Sequence, residues 1–121
     1  MRNLPRLVFK KSDLKSQRAN VLIVVDVLKF DAAWSRDEGF HIPVGQEGLA
    51  GRRNRFEDFL KTGEPIEAPN VSVTSQGVVQ FGDGRHRFAV LRDLGYKEIS
   101  VSVSKKNVAL FNQFVLMKGG F

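Results

Sequence analysis

The residues with the most chemical potential in this chain stand together as Phe81-Gly82-Asp83-Gly84-Arg85-His86-Arg87-Phe88-Ala89. The apolar, β-branched residues before them predict a strand, and the apolar spacing after them predicts a helix. A strand–glycine–helix junction suits an anion. The first N–H groups of a helix have no acceptor within it, and the helix dipole adds about half a positive charge there. Gly82 and Gly84 lack the Cβ that would keep backbone away from a phosphate. Arg85, His86 and Arg87 add side-chain donors, but helical geometry fans them out by about 100° each, so at most two face one ligand. By the same geometry Phe88 and Leu91 face the core, and Arg85 and Arg92 share a side. Asp83 can orient water or hold Mg2+, and His86 can act as general acid or base near neutral pH. A plainer reading explains the same residues: Asp83 caps the helix, the glycines make a turn, and His86 donates without moving a proton.

A second basic group, Arg52, Arg53 and Arg55, falls near the start of another predicted helix. The dipole disfavours cations there by about 0.3–1 kcal/mol each. That mild misplacement gives Arg52 or Arg55 a reading as a second phosphate clamp opposite the glycine loop, with a solvated helix start as the alternative. Asp26 and Asp31 are carboxylates of the kind that hold Mg2+ beside phosphates, yet a strand end and a helix cap account for them more simply. His41, within Phe40-His41-Ile42-Pro43, reads as structural, and Phe30 and Trp34, at helical spacing, read as core.

The elements that must position these residues follow from periodicity. Leu7-Val8-Phe9 predicts a short edge strand. Residues 21–27, nearly all apolar and β-branched, predict a buried strand, followed by a short helix capped by Asp31. Phe56, Phe59 and Leu60 predict a helix over residues 47–61, stopped by Gly63. Val71, Val73, Val78 and Val79 predict a hairpin around Ser75-Gln76-Gly77. The helix that opens near Gly84 ends at Gly95, and Ile99, Val101 and Val103 alternate as in a half-buried strand. Ser104 is placed to cap a last helix reaching about Lys118. Strands and helices mix without regular βαβ alternation, so the expected fold is a compact α+β domain with a small mixed sheet.

Composition narrows the function classes. With 121 residues and 42% apolar side chains, the chain has the size and apolar content of one globular domain. It has no cysteine and two histidines, which excludes disulfides, thiol catalysis and Cys-based or multi-histidine metal sites. No apolar run approaches the roughly 18–20 residues that span a bilayer, and no secretory leader is visible. The expected setting is cytoplasmic, without membrane insertion. The net charge of +6 is uneven. Residues 1–20 hold six basic side chains (Arg2, Arg6, Lys10, Lys11, Lys15, Arg18) against Asp13 alone, and read as a basic arm or edge strand preceding a domain over 21–121. Such an arm attracts polyanions, namely nucleic acid, nucleotide phosphates or an acidic protein surface, unless it is simply a solvated face.

The segment 81–89 resembles the signature of the ParB/sulfiredoxin superfamily. Sulfiredoxins carry Phe-Gly-Gly-Cys-His-Arg-Tyr-Ala-Ala there, and ParB proteins a Gly-Glu-Arg-Arg box in the same strand–loop–helix setting. The flanks agree: residues 63–69, the run Leu94-Gly95-Tyr96-Lys97-Glu98-Ile99, and the strand ending at Asp26 followed by Lys29-Phe30-Asp31 and Trp34. The similarity spans about residues 21–104. Gly51-Arg52-Arg53-Asn54-Arg55-Phe56 and the Asp-Gly-Arg-His-Arg-Phe-Ala run resemble, more finely, small proteins of plasmid fertility inhibition. The resemblance implies a ParB-like fold that binds ATP or CTP phosphates, with Mg2+, through Gly84, His86 and Arg87. It also implies hydrolysis as in relatives described as ATPases or nucleases, contacts to a DNA backbone, or docking to a transfer machine as a non-enzymatic interaction protein. Arg85 replaces the sulfiredoxin cysteine, so sulfinic acid reduction is excluded. A ParB helix–turn–helix domain would need more chain than this sequence supplies.

Overall fold

A computed structural model describes residues 4–45, 52–114 and 116–117, with the side chains of residues 52–54 outside the description. The strands are β1 (Phe9–Lys10), β2 (Val21–Asp26), β3 (Ile66–Glu67), β4 (Asn70–Val73), β5 (Val79–Asp83) and β6 (Glu98–Val103). The helices are α1 (Val27–Trp34), α2 (Arg52–Lys61), α3 (Arg85–Leu94) and α4 (Val108–Gln113). Four strands form one sheet in the order β2-β6-β4-β5, and β1 pairs with β3 in a separate parallel ribbon. β2 runs antiparallel to β6, β4 antiparallel to β5, and β4 parallel to β6. This is the α+β domain with a small mixed sheet that the sequence predicts.

Alternation builds the core. Ile23, Val25, Ile99, Val101 and Val103 point to one face of the sheet, and Val71, Val73 and Val79 extend it. Phe30 and Trp34 of α1 and Phe88 and Leu91 of α3 bury completely against that face. The rings interlock: Phe30 meets Phe88 at 4.8 Å and Trp34 meets Phe81 at 4.6 Å. Such tilted and edge contacts add about 0.5–1.5 kcal/mol each beyond area burial.

Several local expectations are corrected. β2 is a sheet edge buried on one face only, with Leu22 and Val24 on the open face. The α1 cap is Asp26, whose carboxylate accepts from the Lys29 amide at 3.1 Å, because the helix starts directly from the strand. Asp31 lies inside α1 and does other work. Ser104 makes no side-chain cap, and a 3-10 turn at Lys105–Asn107 precedes α4. α4 stops at Gln113, well short of residue 118, because the chain beyond it returns to β2. The Asp26 amide donates to the Leu116 carbonyl at 2.9 Å, and Met117 bridges Val25. For the helix expected over 47–61, residues 46–51 lie outside the described set, and α2 covers the rest.

Residues 4–20 lie against the domain. The amides of Ile66 and Ala68 donate to the carbonyls of Val8 and Lys10 at 2.7 and 2.8 Å. The Tyr96 hydroxyl donates to the Pro5 carbonyl at 2.6 Å. Lys11 is exposed and lies along this segment, its Nζ donating to the carbonyls of Arg18 and Asn20.

Candidate functional site

The junction between β5 and α3 is shaped by an irregularity in the sheet. Asn70 pairs with Asp83 and Val71 with Phe81, so Gly82 is one residue more than β4 can match. This is a β-bulge, a feature that bends a strand and re-aims the side chains beyond it. The isolated glycine in a strand pattern was its sequence signal. A Cβ on Gly82 would come within 2.9 Å of the Asn70 side-chain nitrogen. Gly84 then takes φ +88°, the left-handed region, and turns the chain into α3. A Cβ on Gly84 would meet Pro69 Cα at 2.9 Å and the Arg87 guanidinium at 2.8 Å. Glycine is therefore required at 84 by its positive φ and the Pro69 backbone, whereas at 82 the neighbour is the movable end of the Asn70 side chain.

Asp83 does not cap α3. Gly84 occupies the cap position, with no side-chain cap bond. Asp83, half exposed, faces Arg87 one turn on, Oδ2 to Nη2 at 3.4 Å. Arg87 also donates from Nε to the Glu67 carbonyl at 3.2 Å, which ties α3 to β3. Arg85 donates to the Phe40 carbonyl at 2.9 Å, and its guanidinium lies 5.8 Å from the Phe40 ring centre. The loop after α1 thus reaches the start of α3.

These groups surround one hollow of about 440 Å3. It is lined by Gly82, Asp83, Gly84, Arg85, His86 and Arg87, and by the aromatic side chains of Phe40, Phe56 and Phe81. The volume falls within the range of small-ligand pockets, roughly 300–1,000 Å3. The first turn of the ten-residue helix α3 opens beside it. The arrangement can gather negative charge with guanidinium groups and helix N–H donors, and can hold a flat ring against a phenyl face.

The other candidates fall as follows. Arg52 and Arg55 belong to α2, the helix that brings Phe56 to the hollow. The Arg52 side chain is outside the description; Arg55 is exposed and is not among the lining residues. His41 is structural, as expected: its Nε2 lies 3.0 Å from Asp31 Oδ1 and its ring packs edge-on against Trp34. Among the described residues no group of three or more His, Asp or Glu side chains gathers as a metal site.

Sequence reasoning missed Arg92. Its side chain is almost fully buried and donates to Asp31 at 2.9 Å, Asp93 at 2.9 Å, and the carbonyls of Ile42 and Pro43 at 2.6 and 3.1 Å. Asp93 in turn accepts from the Gly45 amide at 3.0 Å. This cluster fastens the loop that carries Phe40. Arg85 and Arg92 do share a side of α3, and both grip that loop, but only Arg85 reaches the hollow.

No family model matches the sequence, and no curated protein matches it. Among solved structures the fold is similar to that of the oncogenic suppression activity protein, a plasmid fertility inhibition factor, determined as a gold(I) cyanide derivative. The TM-score is 0.66 at 16% identity, over 96% of this chain and 77% of that one. The likeness is one of fold. Among the described residues no helix is long and apolar enough to cross a membrane.

Proposed function

We propose that the protein binds a nucleoside triphosphate, ATP or CTP, in the hollow at the β5–α3 junction. The observation that carries this reading is the convergence of Arg85, His86, Arg87 and the start of α3 on a pocket of nucleotide size with aromatic walls. In this reading the phosphates meet Arg85, His86, Arg87 and the backbone of residues 82–84. Arg55, exposed on α2 outside the lining, would have to swing toward the hollow to act as the second clamp. Asp83 is the carboxylate beside the phosphates and the residue suited to Mg2+, which is commonly held by one or two carboxylates plus phosphate oxygens. The 3.4 Å contact of Arg87 with Asp83 is long, and the remaining guanidinium donors of Arg87 are available to a phosphate.

Positioning and charge stabilisation would supply most of any hydrolysis, with Asp83 orienting water and His86 moving a proton. The fold shared with a plasmid fertility inhibition factor supports a role in control of plasmid transfer, with a protein of the transfer or host machinery as partner. Calorimetric titration of ATP and CTP, with and without Mg2+, tests the binding. Saturable binding that is lost in Arg85→Ala and Arg87→Ala is the expected result. Absence of binding to either nucleotide removes the proposal. Phosphate release in the same samples decides turnover.

A second reading, contact with a DNA backbone, is favoured by one observation. Lys10 of the basic N-terminal segment lines an open hollow beside the first. In that case retention on DNA falls steeply as salt rises and shows little sequence preference.

A further inference from the structure

The second hollow, about 330 Å3, lies between the β1–β3 ribbon and α2 and is lined by Lys10, Phe56, Phe59, Ile66, Glu67 and Arg87. It shares Phe56 and Arg87 with the first hollow, so those two residues form a ridge between neighbouring cavities. Phe56 and Phe59 lie nearly parallel, 9° apart with ring centres at 6.2 Å, and Phe59 is 37% exposed. Phe40, at the other end, is 61% exposed. Aromatic side chains therefore line both cavities, with Phe56 and Arg87 common to the two and Lys10 in the second alone.

A mononucleotide uses the first hollow and leaves the second without a role. The second also holds Glu67, a carboxylate that repels a phosphate but accepts hydrogen bonds from a base amino group. Its chemistry suits a base more than a phosphate. The charge that a bridging phosphate needs stands on the ridge, at Arg87. We infer that the two hollows take successive nucleotides of a single-stranded nucleic acid, with the linking phosphate at Arg87 and unpaired bases against Phe56 and Phe59. This rests on the reading of the first hollow as a nucleotide site. A single strand is required because phenyl faces set in cavities are reached by splayed bases, whereas a paired duplex presents only its backbone and base edges. The excess of cations in residues 1–20, of which Lys10 lies at the second hollow, supplies the matching field for a polyanion.

The experiment uses the full chain and fluorescein-labelled oligothymidylates of increasing length, read by anisotropy beside unlabelled thymidine monophosphate and a duplex competitor. Affinity should rise about tenfold or more from monomer to dimer and trimer, with the duplex competing poorly. Phe59→Leu keeps an apolar side chain on α2 but removes the phenyl face; Lys10→Ala changes an exposed side chain. Each should weaken trimer binding several-fold and leave monomer binding unchanged. Three results overturn the inference: monomer and trimer binding alike, duplex binding as well as single strand, or both variants retaining full trimer affinity with an unchanged melting temperature. If monomer binds and length adds nothing, the inference fails and the nucleotide site stands. If no thymidylate binds at any length while ATP or CTP still titrates, the inference alone fails; if those nucleotides do not bind either, both fail.

Discussion

The two ends of α3 place arginines in opposite circumstances. Arg92, near its C-terminus, is buried and holds two carboxylates and two backbone carbonyls at 2.6–3.1 Å. Arg85 and Arg87, at the N-terminus, are half-buried and line a hollow. Among the described residues Arg85 donates one side-chain hydrogen bond, and Arg87 makes two long ones. A guanidinium has five donors, so the first arginine spends four of them within the protein, while the other two spend one and two and keep capacity for a ligand. The position relative to the dipole points the same way. Arg92 sits where a cation is favoured, whereas Arg85 and Arg87 sit where it is not, and an anion between them relieves that. The side chains are alike; partners and place decide which is structural.

This contrast can be broken most forcefully at Arg92. Arg92→Ala takes the guanidinium away from Asp31 and Asp93, leaving them only His41 and the Gly45 amide, and should cost about 3–5 kcal/mol in urea unfolding, because a broken buried pair leaves poorly compensated charge. Loss below about 1 kcal/mol would mean the cluster is wet and dispensable. Next in size is Gly84→Ala. Its φ of +88° and a Cβ within 2.9 Å of Pro69 add strain to a clash with backbone. Gly95 provides the control, since φ is +101° there but a Cβ meets open space. The alanine variants should differ, with Gly95→Ala costing about 1 kcal/mol and Gly84→Ala clearly more, and only Gly84→Ala should also impair nucleotide binding.

Smaller in stability and larger in function are the N-terminal arginines. Arg85→Ala and Arg87→Ala should each change unfolding by roughly 1 kcal/mol or less while weakening nucleotide binding about tenfold or more. The least stability change belongs to Asp83→Asn, whose half-exposed i,i+4 contact to Arg87 contributes about 0.5 kcal/mol or less. Its readout is the Mg2+ dependence of nucleotide affinity, which should disappear. An unchanged Mg2+ response would take the metal away from Asp83.

Much of this was visible in the residues. Local signals located the hairpin at residues 75–77, the alternation of Ile99, Val101 and Val103, and the limits of α3 at two left-handed glycines. Phe30, Trp34, Phe88 and Leu91 were legible as core because helical spacing alone puts them on one face. What was illegible depends on distant partners. An apolar run such as residues 21–27 cannot say that one of its faces stays open. The helix expected to reach residue 118 gave way to pairing of Leu116 and Met117 with β2, at the far end of the sequence from them. Asp31 looked like a cap because nothing local announces Arg92 and His41. At the hollow, the glycine–arginine segment was legible, but Phe40 and Phe56 were not, since their place there depends on a loop and helix α2 meeting the β5–α3 junction in space.

The central claim, that the hollow at the start of α3 is a nucleotide site, is tested most directly by titrating ATP and CTP into the wild-type protein and into Arg85→Ala and Arg87→Ala in parallel. The account predicts saturable binding of at least one nucleotide to wild type and a loss of about tenfold or more in both variants at nearly unchanged melting temperature. A folded wild-type protein that takes up neither nucleotide, with or without Mg2+, or variants that bind as well as wild type, would contradict it.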